Sequence, residues 1–156
     1  MTNPQPTIFN ATNEEVRMYA KGSTNKISLK EKINKLENEI IEIPLIINGR
    51  EIFTERTKKC VKPHDHKHVL ATYCEAGKKE IDMAISSSLK AWETWSKTSL
   101  KERSKIFKKA AQLLTNEWRD TINAATMLSQ SKNVFQAEID AACELIDFFN
   151  FNVQFA

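Results

Sequence analysis

Only three glycines occur in the 156 residues, Gly22, Gly49 and Gly77, and they lie too far apart for either GxGxxG or GxxxxGK followed by Ser or Thr to be written. A phosphate cradle needs glycine because backbone amides must close on the ligand with no Cβ in the way. The chain by itself therefore cannot build a standard dinucleotide loop. Its length and its 41% apolar content suit one domain, or part of one, with a real core.

Several partner classes fall away on composition. The net charge of +3 is spread along the chain and forms no basic block, so nucleic acid is not implied. No apolar run approaches the roughly 18 residues of a membrane span, the best candidate being the short IPLII at 43–47. Cys60, Cys74 and Cys143 are odd in number, widely spaced and without CxxC, which fits a reducing compartment better than a disulfide framework or a zinc knuckle. The opening MTNPQPTIFNATNEEV has neither the basic and apolar regions of an export signal nor the Arg-rich character of a transit peptide. The cytoplasm is the expected compartment.

Along the chain, residues 1–12 are polar and Pro-bearing and are expected to lie extended over a neighbour or to be mobile. SLKEKINKLENEII places Leu29, Ile33, Leu36 and Ile40 at helical spacing, with Ser28 and Glu31 as a capping box and Pro44 as the stop. In LIINGREIF, Asn48-Gly49 predicts a type I′ hairpin over about 45–54. HVLATY at 68–73 reads as a further strand, expected to join that hairpin in one small sheet.

The remainder is helical in pattern. Ile81, Ala84, Ile85, Leu89, Trp92 and Trp95 follow the spacing of one buried face. Ser99 with Glu102 caps the next helix, whose inner face is Ile106, Phe107, Ala110, Leu113 and Leu114, closed by Trp118. A helix over about 119–130 carries Ile122, Ala125 and Leu128, and a last one begins near Val134.

That last segment has four acids, Glu138, Asp140, Glu144 and Asp147, and no Lys or Arg; it carries −4, so the remainder of a +3 chain carries +7. At about 100° per residue, Asp140, Glu144 and Asp147 share one stripe. Phe135, Ile139, Ala142, Ile146 and Phe149 form an apolar face on one side, and Leu145 and Phe148 a second on the other. For Asp140 and Asp147 the plain reading is a solvated stripe, with pairing to Lys or Arg as its alternative. Glu144, between apolar flanks and beside Ala141 and Ala142, is the acid placed to face a cleft and receive a polar or cationic group. The chain stops at FNFNVQFA with no capping glycine, no basic last turn and three aromatics, an apolar end that is expected to meet a partner or further chain.

INAATMLSQSKNVFQAEIDAACELIDFFNFNVQFA closely resembles the segment preceding the cofactor-domain core in pyrroline-5-carboxylate dehydrogenases. KPHDHKHVLATY at 62–73, IPLIINGREI at 43–52, EEVRMYAKGS at 14–23 and the helix RSKIFKKAAQLL at 103–114 extend the likeness over nearly the whole chain. The resemblance implies an α/β aldehyde dehydrogenase fold, of which this segment is a mostly helical piece with a small hairpin sheet near 45–73. It implies a leader with its helix over 1–42 and the incomplete first part of the NAD-binding domain over 43–156.

It further implies a small-molecule substrate, a homo-oligomer, and NAD-dependent oxidation of L-glutamate γ-semialdehyde to L-glutamate in proline degradation. The family works in bacterial cytoplasm or in the mitochondrial matrix. In it a cysteine thiolate attacks the aldehyde, hydride passes to NAD and a glutamate activates water. Cys60, Cys74 and Cys143 do not match the nucleophile's motif, so no catalytic and no cofactor-binding residue is expected here. Glu144 alone carries over, resembling a residue that lines the family's substrate pocket.

Other constellations have plainer readings. His64, His66 and His68 with Cys60 have the spacing of metal ligands on a strand, but an ordinary polar loop is favoured and no metal is expected. Trp92 and Trp95 read as core or inter-subunit packing. Lys58, Lys59 and Lys62 read as a solvated edge. The competing function is a free-standing helical interaction module that binds a partner through its C-terminal helix.

Overall fold

The computed structural model describes residues 10–156; the expectation for residues 1–9 lies outside the described residues. Helix α1 runs Thr24–Asn38, and Ser23 is its N-cap, accepting a hydrogen bond from the Lys26 amide. The helix thus starts a turn earlier than the Ser28–Glu31 box predicts. Ser28 instead spends its hydroxyl on Asp120. It also ends before Pro44, because the chain turns extended at Glu39 and enters strand β1, Ile41–Ile43. Leu29 anchors α1 in a core with Tyr19 and Ala124, flanked by Ile33, Leu36, Met127 and Val134.

Strands β2, Leu45–Ile47, and β3, Arg50–Ile52, form the expected antiparallel hairpin. Asn48 and Gly49 both adopt positive φ, 53° and 71°, which is why this dipeptide stands there. Strand β5, Asp65–Cys74, contains HVLATY but does not join the hairpin. It lies between β1, which pairs with it in parallel, and β4, Thr57–Lys62, which pairs antiparallel. Period-2 alternation identifies a strand but not its neighbours, and β4 escapes the pattern because three of its six residues are lysines.

Helix α2, Lys78–Trp95, buries none of its residues. The stripe expected inside is exposed: Leu89 and Trp92 are 65% and 66% accessible, and Ile81 and Ile85 more than half. Periodicity marks which face is apolar, whereas burial needs an element to cover it, and β2 is the main neighbour α2 has.

Ser99 and Glu102 form the predicted capping box of α3, Leu100–Leu113. A π-helical turn, Leu114–Trp118, then leads into α4, Arg119–Gln130. That turn shifts the phase of the helix, so Trp118 points to solvent instead of closing the inner face. Upstream of it, in α3 itself, Ile106 is exposed while Ala111 is buried. On α4 the buried side is Arg119, Asn123, Ala124, Thr126 and Leu128, so Ala125 faces out. Ser131, at φ 54°, ends the helix.

Asn133 caps the last helical run with the help of Gln136. The run comprises α5, Val134–Ala137, a π-helical turn Glu138–Cys143, and α6, Glu144–Phe155. Ala142 and Ile146 are fully buried, as the apolar pattern requires, but Phe135, Ile139 and Phe148 are exposed. Phe149 meets Phe107 of α3 at 5.9 Å between ring centroids.

Candidate functional site

Residues 11–19 have no regular structure, yet they are bound along the last helix in reverse direction. The Ala11 amide donates to Gln154 Oε1 (2.6 Å) and the Asn13 side-chain amide to Asp147 Oδ2 (2.8 Å). The Glu14 amide donates to Asp147 Oδ1 (2.6 Å), and the Arg17 amide to Glu138 Oε1 (2.7 Å). An extended strap must find acceptors for its amides away from any strand, and the side-chain oxygens of Gln154, Asp147 and Glu138, spaced along the last helical run, supply them.

The inner end of the strap closes on a buried ion pair. Arg119 and Glu138 are 1% and 0% accessible, and the guanidinium donates to the carboxylate from Nε (3.2 Å) and from Nη2. Tyr19 Oη and Asn123 Nδ2 each donate to Glu138 Oε2 at 2.7 Å. Arg119 also pairs with Glu14 and donates to the Glu15 carbonyl at 2.6 Å.

Burial by itself would raise the Glu138 pKa; the hydrogen bonds from Arg119, Arg17, Tyr19 and Asn123 outweigh it and hold the carboxyl below the usual range. Burial and the neighbouring Glu138 carboxylate push the Tyr19 hydroxyl up. The Cys143 thiol, 3.2 Å from Arg119 Nη2, is pushed up to about 11 by burial against the pull of that cation. Sequence reasoning missed this pair. Its signal is the four-residue spacing that puts Glu138 in line with Ala142 and Ile146, both fully buried.

The four acids therefore separate. Glu138 is inside, Asp140 pairs with Lys132 (2.6 Å), and Asp147 holds the strap with both oxygens. Structural pairing replaces the solvated stripe for Asp140 and Asp147. Glu144, the first residue of α6, is exposed and has no hydrogen-bond or ion-pair partner among the described residues. It lines an open depression of about 400 Å³ with Asn13, Asp147, Phe148, Phe151, Asn152 and Phe155.

The remaining candidates serve the fold. His64 Nδ1, in the turn between β4 and β5, lies 2.7 Å from Ser131 Oγ at the end of α4, and His68 Nε2 lies 2.8 Å from the Glu37 carbonyl, which ties α1 to β5. Among the described residues no group of three or more His, Cys, Asp or Glu is placed to hold a metal ion. Lys62 departs from the solvated-edge reading: it is buried and paired with Glu37. Lys58 pairs with Glu75 at 2.8 Å.

Gly77 precedes the N-terminus of α2, the one helix start that follows a glycine directly. Its amide is already bonded to Glu80 Oε2 (2.7 Å), and the Arg56 guanidinium occupies the space beside its Cα. Gly22 and Gly49 serve turns. None of the three glycines thus offers a free backbone cradle for the phosphates of a dinucleotide. No helix among the described residues is long and apolar enough to cross a membrane.

A profile of the aldehyde dehydrogenase family matches residues 52–156, and the chain belongs to that family. Similar relatives are named delta-1-pyrroline-5-carboxylate dehydrogenases. The mitochondrial delta-1-pyrroline-5-carboxylate dehydrogenase of Dictyostelium discoideum is 41% identical over 144 residues, 92% of this chain and 26% of its own length. The human mitochondrial enzyme of the same name is 38% identical over the same shares.

Among solved structures, the Mycobacterium tuberculosis delta-pyrroline-5-carboxylate dehydrogenase bound with NAD and cobalamin superimposes with a TM-score of 0.94 at 37% identity, over 99% of this chain and 29% of that one. The Thermus 1-pyrroline-5-carboxylate dehydrogenase with bound NAD gives 0.86 at 25% identity, over 96% and 28%. The chain spans about a quarter of the length of the curated relatives it matches. All four carry the family name that the resemblance implied.

Proposed function

We propose that this chain is the amino-terminal part of an NAD-dependent dehydrogenase that oxidises L-glutamate γ-semialdehyde, formed from pyrroline-5-carboxylate, to L-glutamate in proline degradation. The observation that carries the reading is the continuity of the match, which runs over 92% of the chain to relatives bearing that activity in their names. Residues 1–42 are the leader with its helix, and 43–156 are the first part of the NAD-binding domain. The compartment is the cytoplasm, or the mitochondrial matrix in a eukaryote, and the whole protein self-associates and acts on a small molecule, without nucleic acid or membrane.

Within these residues Glu144 is the substrate-binding group. Its carboxylate receives the amino group of the amino-acid aldehyde through a charge-assisted hydrogen bond. The support is the distribution of acids: three of the four on the last helical run already have structural partners, and Glu144 is the one left to solvent in a concave, aromatic-lined surface.

The covalent chemistry is assigned to none of the three cysteines, Cys60 included, because none matches the motif of the family's nucleophile. Cys74 and Cys143 are buried, and the Cys143 thiol is held protonated. The 156 residues alone are expected to give no turnover.

A chimera tests the proposal, with residues 10–156 replacing the matched segment of the Mycobacterium tuberculosis relative. NAD reduction that prefers glutamate semialdehyde over propanal supports it. A folded, NAD-binding chimera indifferent to the amino-acid end of the substrate counts against it. Turnover by the 156-residue chain alone would overturn the assignment of its chemistry to other residues.

A further inference from the structure

The strap does more than close the core: it forms one wall of the Glu144 depression. Asn13 lines that depression together with Glu144, and its side chain is oriented by Asp147. A carboxylate can only accept, so the Asn13 amide must turn its Nδ2 toward Asp147. The Asn13 carbonyl oxygen is then left without a partner among the described residues, on the side away from Asp147.

The depression thus offers one free carboxylate, one free amide carbonyl, and the rings of Phe148, Phe151 and Phe155. It offers no cation: no Lys or Arg lines it. An alkylammonium has three N–H donors, a full positive charge and an apolar tail. That combination matches a carboxylate and a carbonyl for the donors and aromatic faces for both the charge and the tail.

We infer that Asn13 is a specificity-determining residue, whose side-chain carbonyl accepts a hydrogen bond from the primary ammonium group of the ligand that Glu144 binds. The inference rests on the Glu144 reading above and adds a second acceptor from a distant part of the chain. Asp147 acts one step behind, as a positioning residue that fixes which way the Asn13 amide points.

The test is a titration of the isotopically labelled full chain with n-butylammonium, and with n-butanol as the neutral analogue, followed by the amide resonances of Asn13 and Glu14. Asn13→Ala removes the carbonyl. Asn13→Thr removes it too but keeps a polar hydroxyl on the strap, and so covers the case in which Asn13→Ala unseats it. Both variants are expected to weaken n-butylammonium binding about threefold to tenfold, the net worth of one ordinary hydrogen bond in an open site, with n-butanol unaffected.

Glu144→Gln is expected to weaken n-butylammonium binding more than either. If Glu144→Gln weakens it and the Asn13 variants do not, the Asn13 assignment is overturned while the Glu144 reading stands. Equal losses for butanol and butylammonium would make Asn13 a shape-filling residue and also overturn the inference. Unselective or absent binding by the unsubstituted chain overturns both.

Discussion

Arg119 and Glu138 form an ion pair that solvent does not reach, and the Glu138 carboxylate also accepts from Asn123 of α4, from Arg17 and Tyr19 of the strap, and from the Cys143 thiol at 3.8 Å. The pair joins α4, the last helical run and an extended segment more than 100 residues away in sequence. Its stability therefore sets that of the strap.

Glu138→Ala is expected to cost about 3–5 kcal/mol, because the Arg119 charge stays buried with only Glu14 to balance it and two strap donors lose their acceptor. Urea unfolding followed by circular dichroism measures this. A loss under about 1 kcal/mol, the value of an exposed pair, would show that water reaches Arg119.

Acid should weaken the protein through the same residue. The Glu138 carboxyl is held below its ordinary value in the fold, so its stabilisation is fully present above the unfolded value of about 4.3 and is lost as pH falls through the lower folded value. Glu37, lowered chiefly by its hydrogen bond from Lys62, adds a loss of the same sign. The urea midpoint should fall below about pH 4.3, and the fall should be shallower in Glu138→Gln, whose side chain does not titrate. An equally steep fall in that variant would assign the acid sensitivity elsewhere.

The three thiols should differ in reactivity. Cys60 is half-buried, Cys74 and Cys143 are buried, and the Cys143 thiol is raised to about 11, so little thiolate forms there at neutral pH. Iodoacetamide labelling read by mass spectrometry should modify Cys60 first and Cys143 only on unfolding. Labelling of Cys143 as fast as Cys60 would contradict its seat beside Arg119.

Gly49→Ala tests the hairpin. The position has open space around it but a φ of 71°, so the cost is conformational and not steric. A destabilisation of roughly 1–2 kcal/mol is expected by thermal unfolding. Gly77→Ala should cost less, since what its Cβ would meet first is the mobile end of the Arg56 side chain.

Much of this protein was legible in local sequence. Asn48-Gly49 specified its hairpin, Ser99 and Glu102 their cap, and Val134 the start of the last helix, because each depends on residues no more than a few positions apart. Ser28 misled, since a capping box can be written wherever a serine precedes a glutamate by three. The hydroxyl that caps α1 is Ser23. Glu144 could be singled out on its helix, but not the fact that its neighbours Asp140 and Asp147 are engaged.

What the sequence determined by itself is most of the elements, through periodicity and caps, with β1 and β4 the strands it did not mark. The tertiary structure decided which faces are covered and which charges are paired. Leu89 and Trp92 are as apolar as any core residue, yet they stand in solvent because no described element lies over them. Glu138 is as polar as Glu144, yet it is inside, because Arg119, Tyr19 and Asn123 converge on it from elements remote in the chain. Burial and pairing are properties of neighbours in space, and a one-dimensional pattern carries only the half of each contact that lies on its own segment.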